Sequence, residues 1–138
     1  MRTSKIFVTV DIIVIKSVLS LKQILLIQRK NEPFQNCWAL PGGFVDENED
    51  LDDAARRELL EETGIHAGHI EQLRTYGTPR RDPRGHMISV AYLCKGNDDM
   101  LIEAGDDASD AKWFSTNNLP ILAFDHAEII SFALTKLT

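Results

Sequence analysis

The stretch "WALPGGFVDENEDLDDAARRELLEETGI", residues 38–65, decides how this chain is read. It holds nine carboxylates (Asp46, Glu47, Glu49, Asp50, Asp52, Asp53, Glu58, Glu61 and Glu62) and two basic residues, Arg56 and Arg57, a local charge of −7. The whole chain carries −6, so the remainder sums to +1. Pro41-Gly42-Gly43 breaks an extended segment. A helix follows over residues 50–63, closed by Gly64 as a left-handed cap. At about 100° per residue, Leu51, Ala54, Ala55 and Leu59 define an apolar stripe. Glu58 and Glu62 fall inside that stripe and Glu61 lies beside it. Like charges four residues apart on a helix repel, and a buried carboxylate without a partner is costly. Arg56 and Arg57 account for Asp52 and Asp53 on the outer face. They do not account for the three glutamates. A divalent cation does: three acids plus water oxygens make a hard-oxygen site suited to Mg²⁺ or Mn²⁺.

Outward from this segment, the chain alternates strands and turns. "KIFVTVDIIVI", residues 5–15, is rich in β-branched residues and reads as a buried strand. "SVLSLKQ" reads as a turn region, "ILLIQRK" as a second strand and "NEPFQN" as a loop. After the helix come a strand over 67–76, the loop "GTPRRDPRG" and a strong strand over 86–94. A short edge strand over 100–103, the strand "AKWF" and a helix over about 124–136 complete the order. Mostly strands with two helices means α+β, a mixed sheet with helices on its faces.

The 138 residues make one domain, 1–138, with no repeat or linker. A chain of this size buries roughly two-thirds of its unfolded surface, so it needs no disulfides. Cys37 and Cys94 lie far apart, form no CxxC and read as reduced thiols. The apolar run Ile6–Ile15 is interrupted by Asp11 and is too short to cross a bilayer. A cytoplasmic protein with no membrane partner is expected. The negative balance argues against general nucleic-acid binding.

The spacing in the opening stretch is Gly43, five residues, Glu49, seven residues, Arg57-Glu58-Leu59, one residue, Glu61-Glu62, one residue, Gly64-Ile65. It resembles the signature box of the Nudix hydrolase family at every fixed position. The strand order around it is also similar to the Nudix α/β/α sandwich, a mixed sheet between helices. The resemblance implies metal ligation by Glu58, Glu61 and Glu62, completed by the carbonyl of Gly42, with Arg57 and Glu49 orienting the glutamates. It implies metal-dependent hydrolysis of a nucleoside diphosphate linked to another moiety, and a homodimer. Asp106 and Asp107 stand in a loop where such enzymes often keep a further acid, as metal ligand or general base.

The box does not encode the substrate. "YGTPRRDPRGHMISVAYL", residues 76–93, crowds Arg80, Arg81 and Arg84 before a strand. Such a loop is either a solvated surface or a fork onto phosphate oxygens. "RDPRGH" with the later "DDASDAKWF" and "FDHAEII" is similar to Nudix ADP-ribose pyrophosphatases of bacteria and archaea. It also resembles the ligand domain of NAD-metabolism repressors. Those carry an added DNA-binding domain, and the end of this sequence after one helix argues against that role. By the same resemblance, Arg29 is a phosphate contact; from the residues alone it reads equally as a strand-end cation in water. Phe34 and Trp38 either stack on a nucleobase or pack in the core. Trp113 and Phe114 read as core. His86 has no settled role. His126 either touches substrate or lies on the surface of the last helix, with Asp125 as its cap. The expected ligand is a small nucleotide diphosphate. A triphosphate of the oxidised dGTP type and an ADP-ribose sensor without catalysis are the alternatives.

Overall fold

A strand buried on both faces organises the molecule. The computed structural model describes residues 3–97 and 108–137. In chain order its elements are β1 (Ile6–Val18), β2 (Leu21–Arg29), β3 (Trp38–Ala39), β4 (Gly42–Phe44), α1 (Leu51–Thr63), β5 (Ile70–Tyr76), β6 (His86–Lys95), β7 (Ala108–Ser115) and α2 (His126–Thr135). Val10, Ile12 and Val14 of β1 join a core with Ala54, Ala55 and Leu59 of α1. Ile13 and Ile15 join a second core with Ile129, Ile130 and Ala133 of α2. Alternate side chains of a strand point to opposite faces. Helices on both faces therefore make β1 a continuous apolar run rather than an alternating one. The result is an α/β/α sandwich around a mixed sheet.

β1 also sets the topology. It pairs in parallel with β6 over Ile6–Ile15. Its far end, Ile15–Val18, pairs antiparallel with β2. Its nearer part, Thr9–Asp11, pairs antiparallel with β4. Between these two partners Ile12 N–H donates to the Pro41 carbonyl at 2.8 Å. β2 continues beyond β1 to pair with β3 and β7. The sheet thus forks where β4 and β2 part, and the fork opens the cleft described below.

Three local expectations need correction. Residues 17–23 are mostly strand: β1 runs to Val18 and β2 resumes at Leu21, with Leu19 and Ser20 alone making the turn. Both have positive φ, 51° and 68°. That is the backbone a two-residue hairpin needs, and Asn-Gly or Asp-Gly usually signals it. Leu-Ser carries no such signal. Asp125 precedes α2 but makes no side-chain capping bond, because Arg81 takes its carboxylate. His126 is buried rather than on a helix surface, at 4% exposure. α1 spans Leu51–Thr63 and ends on Gly64 at φ 74°, as its sequence predicts. The expected strand over 100–103 lies outside the described residues, as do Asp106 and Asp107.

Candidate active site

Arg57 is the hub of the acidic segment. Its Nε and Nη2 donate to the two oxygens of Glu49 at 2.7 and 2.9 Å. Nη1 donates to Glu58 Oε1 at 2.9 Å and Glu61 Oε2 at 3.3 Å, and Nη2 reaches the Phe44 carbonyl at 3.0 Å. Asp46 N–H also donates to Glu49 Oε1. The Arg57 hydrogen bonds first, and the Asp46 amide second, pull the Glu49 pKa down to about 2. The same Glu49 bonds raise Arg57 further above its ordinary value, against the opposing effect of burial. One arginine thus ties the loop after β4 to the middle of α1.

Both glycines of the turn are demanded by close approach. A Cβ on Gly42 would sit 2.1 Å from the Val10 carbonyl, and one on Gly43 would sit 2.6 Å from the Glu58 carboxylate. Gly42 N–H donates to Glu62 Oε1 at 2.6 Å. Glu62 is 7% exposed and Glu61 faces solvent.

These residues form one wall of an open cleft of about 410 Å³. Glu58, Glu62, Gly42, Gly43 and Asp46 line it; so do Arg29 and Lys30 at the end of β2, Arg81, Asp82 and Arg84 of the loop, and Phe124 and His126. Asp11 of β1 also lines it. Glu61, Phe34 and Arg80 do not border the cleft among the described residues.

The loop arginines separate by partner. Arg81 makes a bidentate pair with Asp125, Nε–Oδ2 2.8 Å and Nη2–Oδ1 2.6 Å, with its side chain 5% exposed. Burial alone would lower its pKa; the Asp125 bonds outweigh that and the net shift is upward. Arg84 is held by buried Asp82 through Nε, Nη2 and its own backbone amide. Burial opposes the charge on Asp82, but the Arg84 bonds prevail and its pKa falls. The Arg84 guanidinium lies 5.3 Å from the Phe44 ring centre and 5.2 Å from that of Phe124. Arg29 lies 5.0 Å from the same Phe124 ring and donates Nε–H to the Pro33 carbonyl. Burial, then the charge of Arg84, lowers the Arg29 pKa. Arg29 has no ion pair among the described residues. Arg80 is exposed, at φ 72°. Phe34 packs edge-on against Phe124, 4.9 Å between centres, and Trp38 against Phe114 at 4.8 Å.

The lining residues that sequence reading missed include Asp11, Phe44, Asp82 and Phe124. Asp11 carried a signal, since a carboxylate inside a β-branched run is expensive. Phe124 carried only its place in "FDHAEII"; its ring gains its setting from Phe34, Arg29 and Arg84, which arrive from elsewhere.

The donor chemistry fits a hard divalent cation. Asp46, Glu49, Glu58 and Glu61 crowd around one arginine, with Glu62 beside them on the Gly42 amide, and their oxygens are the ligands such ions take. Among the described residues, however, no three His, Cys, Asp or Glu side chains already stand at ligand spacing. Arg57 engages oxygens of Glu58 and Glu61, and the Gly42 amide engages Glu62. Each of these bonds uses one oxygen of its carboxylate, so ligation by all three requires the side chains to draw closer together rather than to leave those partners.

The family model for the NUDIX domain matches residues 6–132. The chain belongs to the NUDIX family. An ADP-ribose pyrophosphatase of Methanocaldococcus jannaschii is 50% identical to this NUDIX chain over 111 residues, 78% of this chain and 63% of that protein. The ADPR responsive transcriptional repressor NtrR of Acinetobacter baylyi is 38% identical over 133 residues, 94% of this chain and 53% of that protein. The NUDIX domain of Shewanella oneidensis NrtR, solved with ADP ribose, superposes with a TM-score of 0.93 at 35% identity, over 99% of this chain and 91% of that one. The chain thus spans between half and two-thirds of the length of these two curated relatives. NUDIX hydrolases generally use divalent metal ions. No helix among the described residues is long and apolar enough to cross a membrane.

Proposed function

We propose that this NUDIX chain hydrolyses a nucleoside diphosphate linked to a second moiety, with ADP-ribose as substrate: ADP-ribose plus water gives AMP and ribose 5-phosphate. One observation carries the reading. Arg29 and Arg84 share the Phe124 ring in the same cleft as Glu58 and Glu62. Two guanidiniums on one ring repel; burial first, and the charge of Arg84 second, lower the Arg29 pKa, and an anionic ligand between the two relieves the repulsion. The carboxylate wall calls for a cation and the arginine wall for an anion; a metal-bound diphosphate satisfies both. The names of the relatives support ADP-ribose within that class.

The roles divide accordingly. Glu58, Glu61, Glu62 and the Gly42 carbonyl would hold Mg²⁺, with Mn²⁺ as the alternative. A bound ion of this kind neutralises phosphate oxygens and lowers the pKa of an attacking water. Arg57 and Glu49 keep the glutamates and the loop after Gly43 in register. Arg29 and Arg84 hold the diphosphate, and Arg81 is locked by Asp125 to support the loop. Phe124 offers an apolar face beside them. Asp106 and Asp107 remain the proposed general base or extra ligand. We further propose that residues 1–138 act as one domain, as a cytoplasmic homodimer that does not take nucleic acid.

The test is a product assay with Mg²⁺ on ADP-ribose, canonical dNTPs and oxidised dGTP. AMP and ribose 5-phosphate should form with a kcat/KM above that for any triphosphate. A tenfold or greater preference for oxidised dGTP replaces this reading with triphosphate pyrophosphohydrolysis. Tight ADP-ribose binding with no turnover replaces it with a sensor, the role that the name of the A. baylyi relative suggests.

A further inference from the structure

A chain of buried polar groups crosses the floor of the cleft and makes no use of phosphate chemistry. Asp11 points to the α2 side of β1, the side of Ile13 and Ile15, and is 7% exposed. One of its oxygens accepts the Ser89 hydroxyl. The other lies 3.5 Å from His126 Nε2. On the far side of the ring, His126 Nδ1 accepts the Leu40 N–H at 3.0 Å. That bond fixes the tautomer, since an accepting Nδ1 puts the proton of the neutral ring on Nε2, toward Asp11. Both ring nitrogens face protein, so the imidazole has no polar atom left for substrate.

An apolar residue at position 11 would continue the run on either side. Replacing buried charged groups by packed apolar ones is often neutral or stabilising. Core stability therefore does not explain Asp11, and its target does. Leu40-Pro41-Gly42 joins β3 to β4 and is held at three consecutive residues: Leu40 N–H on His126, the Pro41 carbonyl on Ile12 N–H at 2.8 Å, and Gly42 N–H on Glu62 at 2.6 Å. Asp11 is itself the β1 partner of Gly42. The polar chain thus grips the short segment that presents Gly42 beside Glu62.

We propose that Asp11 and His126 are positioning residues, which through Leu40 fix the Leu40–Gly42 backbone and hence the surface that Gly42 and Glu62 offer to a divalent cation. This rests on the metal-dependent reading above, but not on the identity of the substrate.

Two variants of the 138-residue chain separate positioning from packing. His126→Phe keeps the ring volume and removes the acceptor. His126→Asn loses volume and keeps an acceptor near the Nδ1 position. Two readouts need no substrate: amide hydrogen exchange of the metal-free protein, and calorimetric binding of Mg²⁺ alone. In His126→Phe, exchange at Leu40 and Gly42 should accelerate relative to the β6 amides of Ala91–Leu93. Mg²⁺ affinity should fall about 10- to 100-fold, as when an outer partner of a metal ligand is removed. His126→Asn should recover part of both. If His126→Phe matches wild type while His126→Asn is the impaired variant, the residue is only core packing and the proposal fails. Should His126→Phe not fold, Asp11→Asn, close in shape, carries the test: weaker Mg²⁺ binding supports the proposal and unchanged binding overturns it. An absence of ADP-ribose turnover alongside these shifts would count against the substrate assignment alone.

Discussion

Arg57 grips both oxygens of Glu49 across eight residues of sequence, at 2.7 and 2.9 Å. The pair spans the loop between β4 and α1, and its energetic signature is the Glu49 pKa of about 2 against an ordinary 4.5. A carboxylate with a depressed folded pKa contributes stability that is present above its unfolded value and lost as pH falls through the folded one. Its share is therefore complete above about pH 4.5 and disappears by about pH 2. Glu49→Gln should flatten the decline of thermal midpoint over that window, measured by circular dichroism. An equally steep decline in the variant would refute the assignment.

Glu62→Gln tests the metal wall. The amide oxygen can still accept the Gly42 N–H, so the metal-free fold should melt as wild type or slightly higher, one repelling charge having been removed. Turnover should fall by at least ~10²-fold, as for loss of a contact that stabilises transition-state charge. Melts in chelator and Mg²⁺ titrations of activity check both halves. Normal Mg²⁺ dependence in an active variant would sink the ligand role.

The three loop arginines should behave differently on alanine replacement. Arg84→Ala should lower kcat/KM about 10- to 150-fold, mostly through KM, the loss of a charged hydrogen bond worth roughly 1.5–3 kcal/mol. Arg84→Lys should recover only part, lacking the planar fork. Arg81→Ala should act on stability rather than on KM, costing roughly 2–4 kcal/mol in denaturant unfolding because Asp125, 18% exposed, is left without its partner, whereas Arg84→Ala, which strands the more buried Asp82, should lower stability as well as raise KM. Arg80→Ala should change neither. Equal kinetics for all three would reduce the loop to a solvated surface.

The two glycines should fail in different ways. Gly42→Ala drives a methyl against the backbone carbonyl of Val10 and should disrupt β1–β4 pairing, lowering yield and stability. Gly43→Ala meets only the end of the Glu58 side chain, which can swing aside. It should fold near normally and lose activity. Unfolding midpoints and turnover on the same preparations distinguish the two, and a Gly42→Ala variant as stable as wild type would refute the contact.

Helix α1 and its acids were legible from the residues alone because helical periodicity is local: three or four positions set a face, so Leu51, Ala54, Ala55 and Leu59 place Glu58 and Glu62 without knowledge of the sheet. The strand run "IIVI" was legible for the same reason. The turn in "SVLSLKQ" was legible but its narrowing to Leu19–Ser20 was not, since neither residue signals the positive φ values that β1–β2 pairing demands there. Nor were the partners that sort the polar residues. Asp11 meets Ser89 across 78 residues, Leu40 meets His126 across 86, and Arg81 meets Asp125 across 44. No spacing rule reaches that far; parallel pairing of β1 with β6 and the docking of α2 bring them together. Sequence alone singled out the glutamates proposed to hold a metal, because their spacing is written in one helix. Tertiary structure decided that Asp125 locks Arg81 and that the carboxylate inside β1 meets Ser89 and His126, because each partner is supplied by a different element.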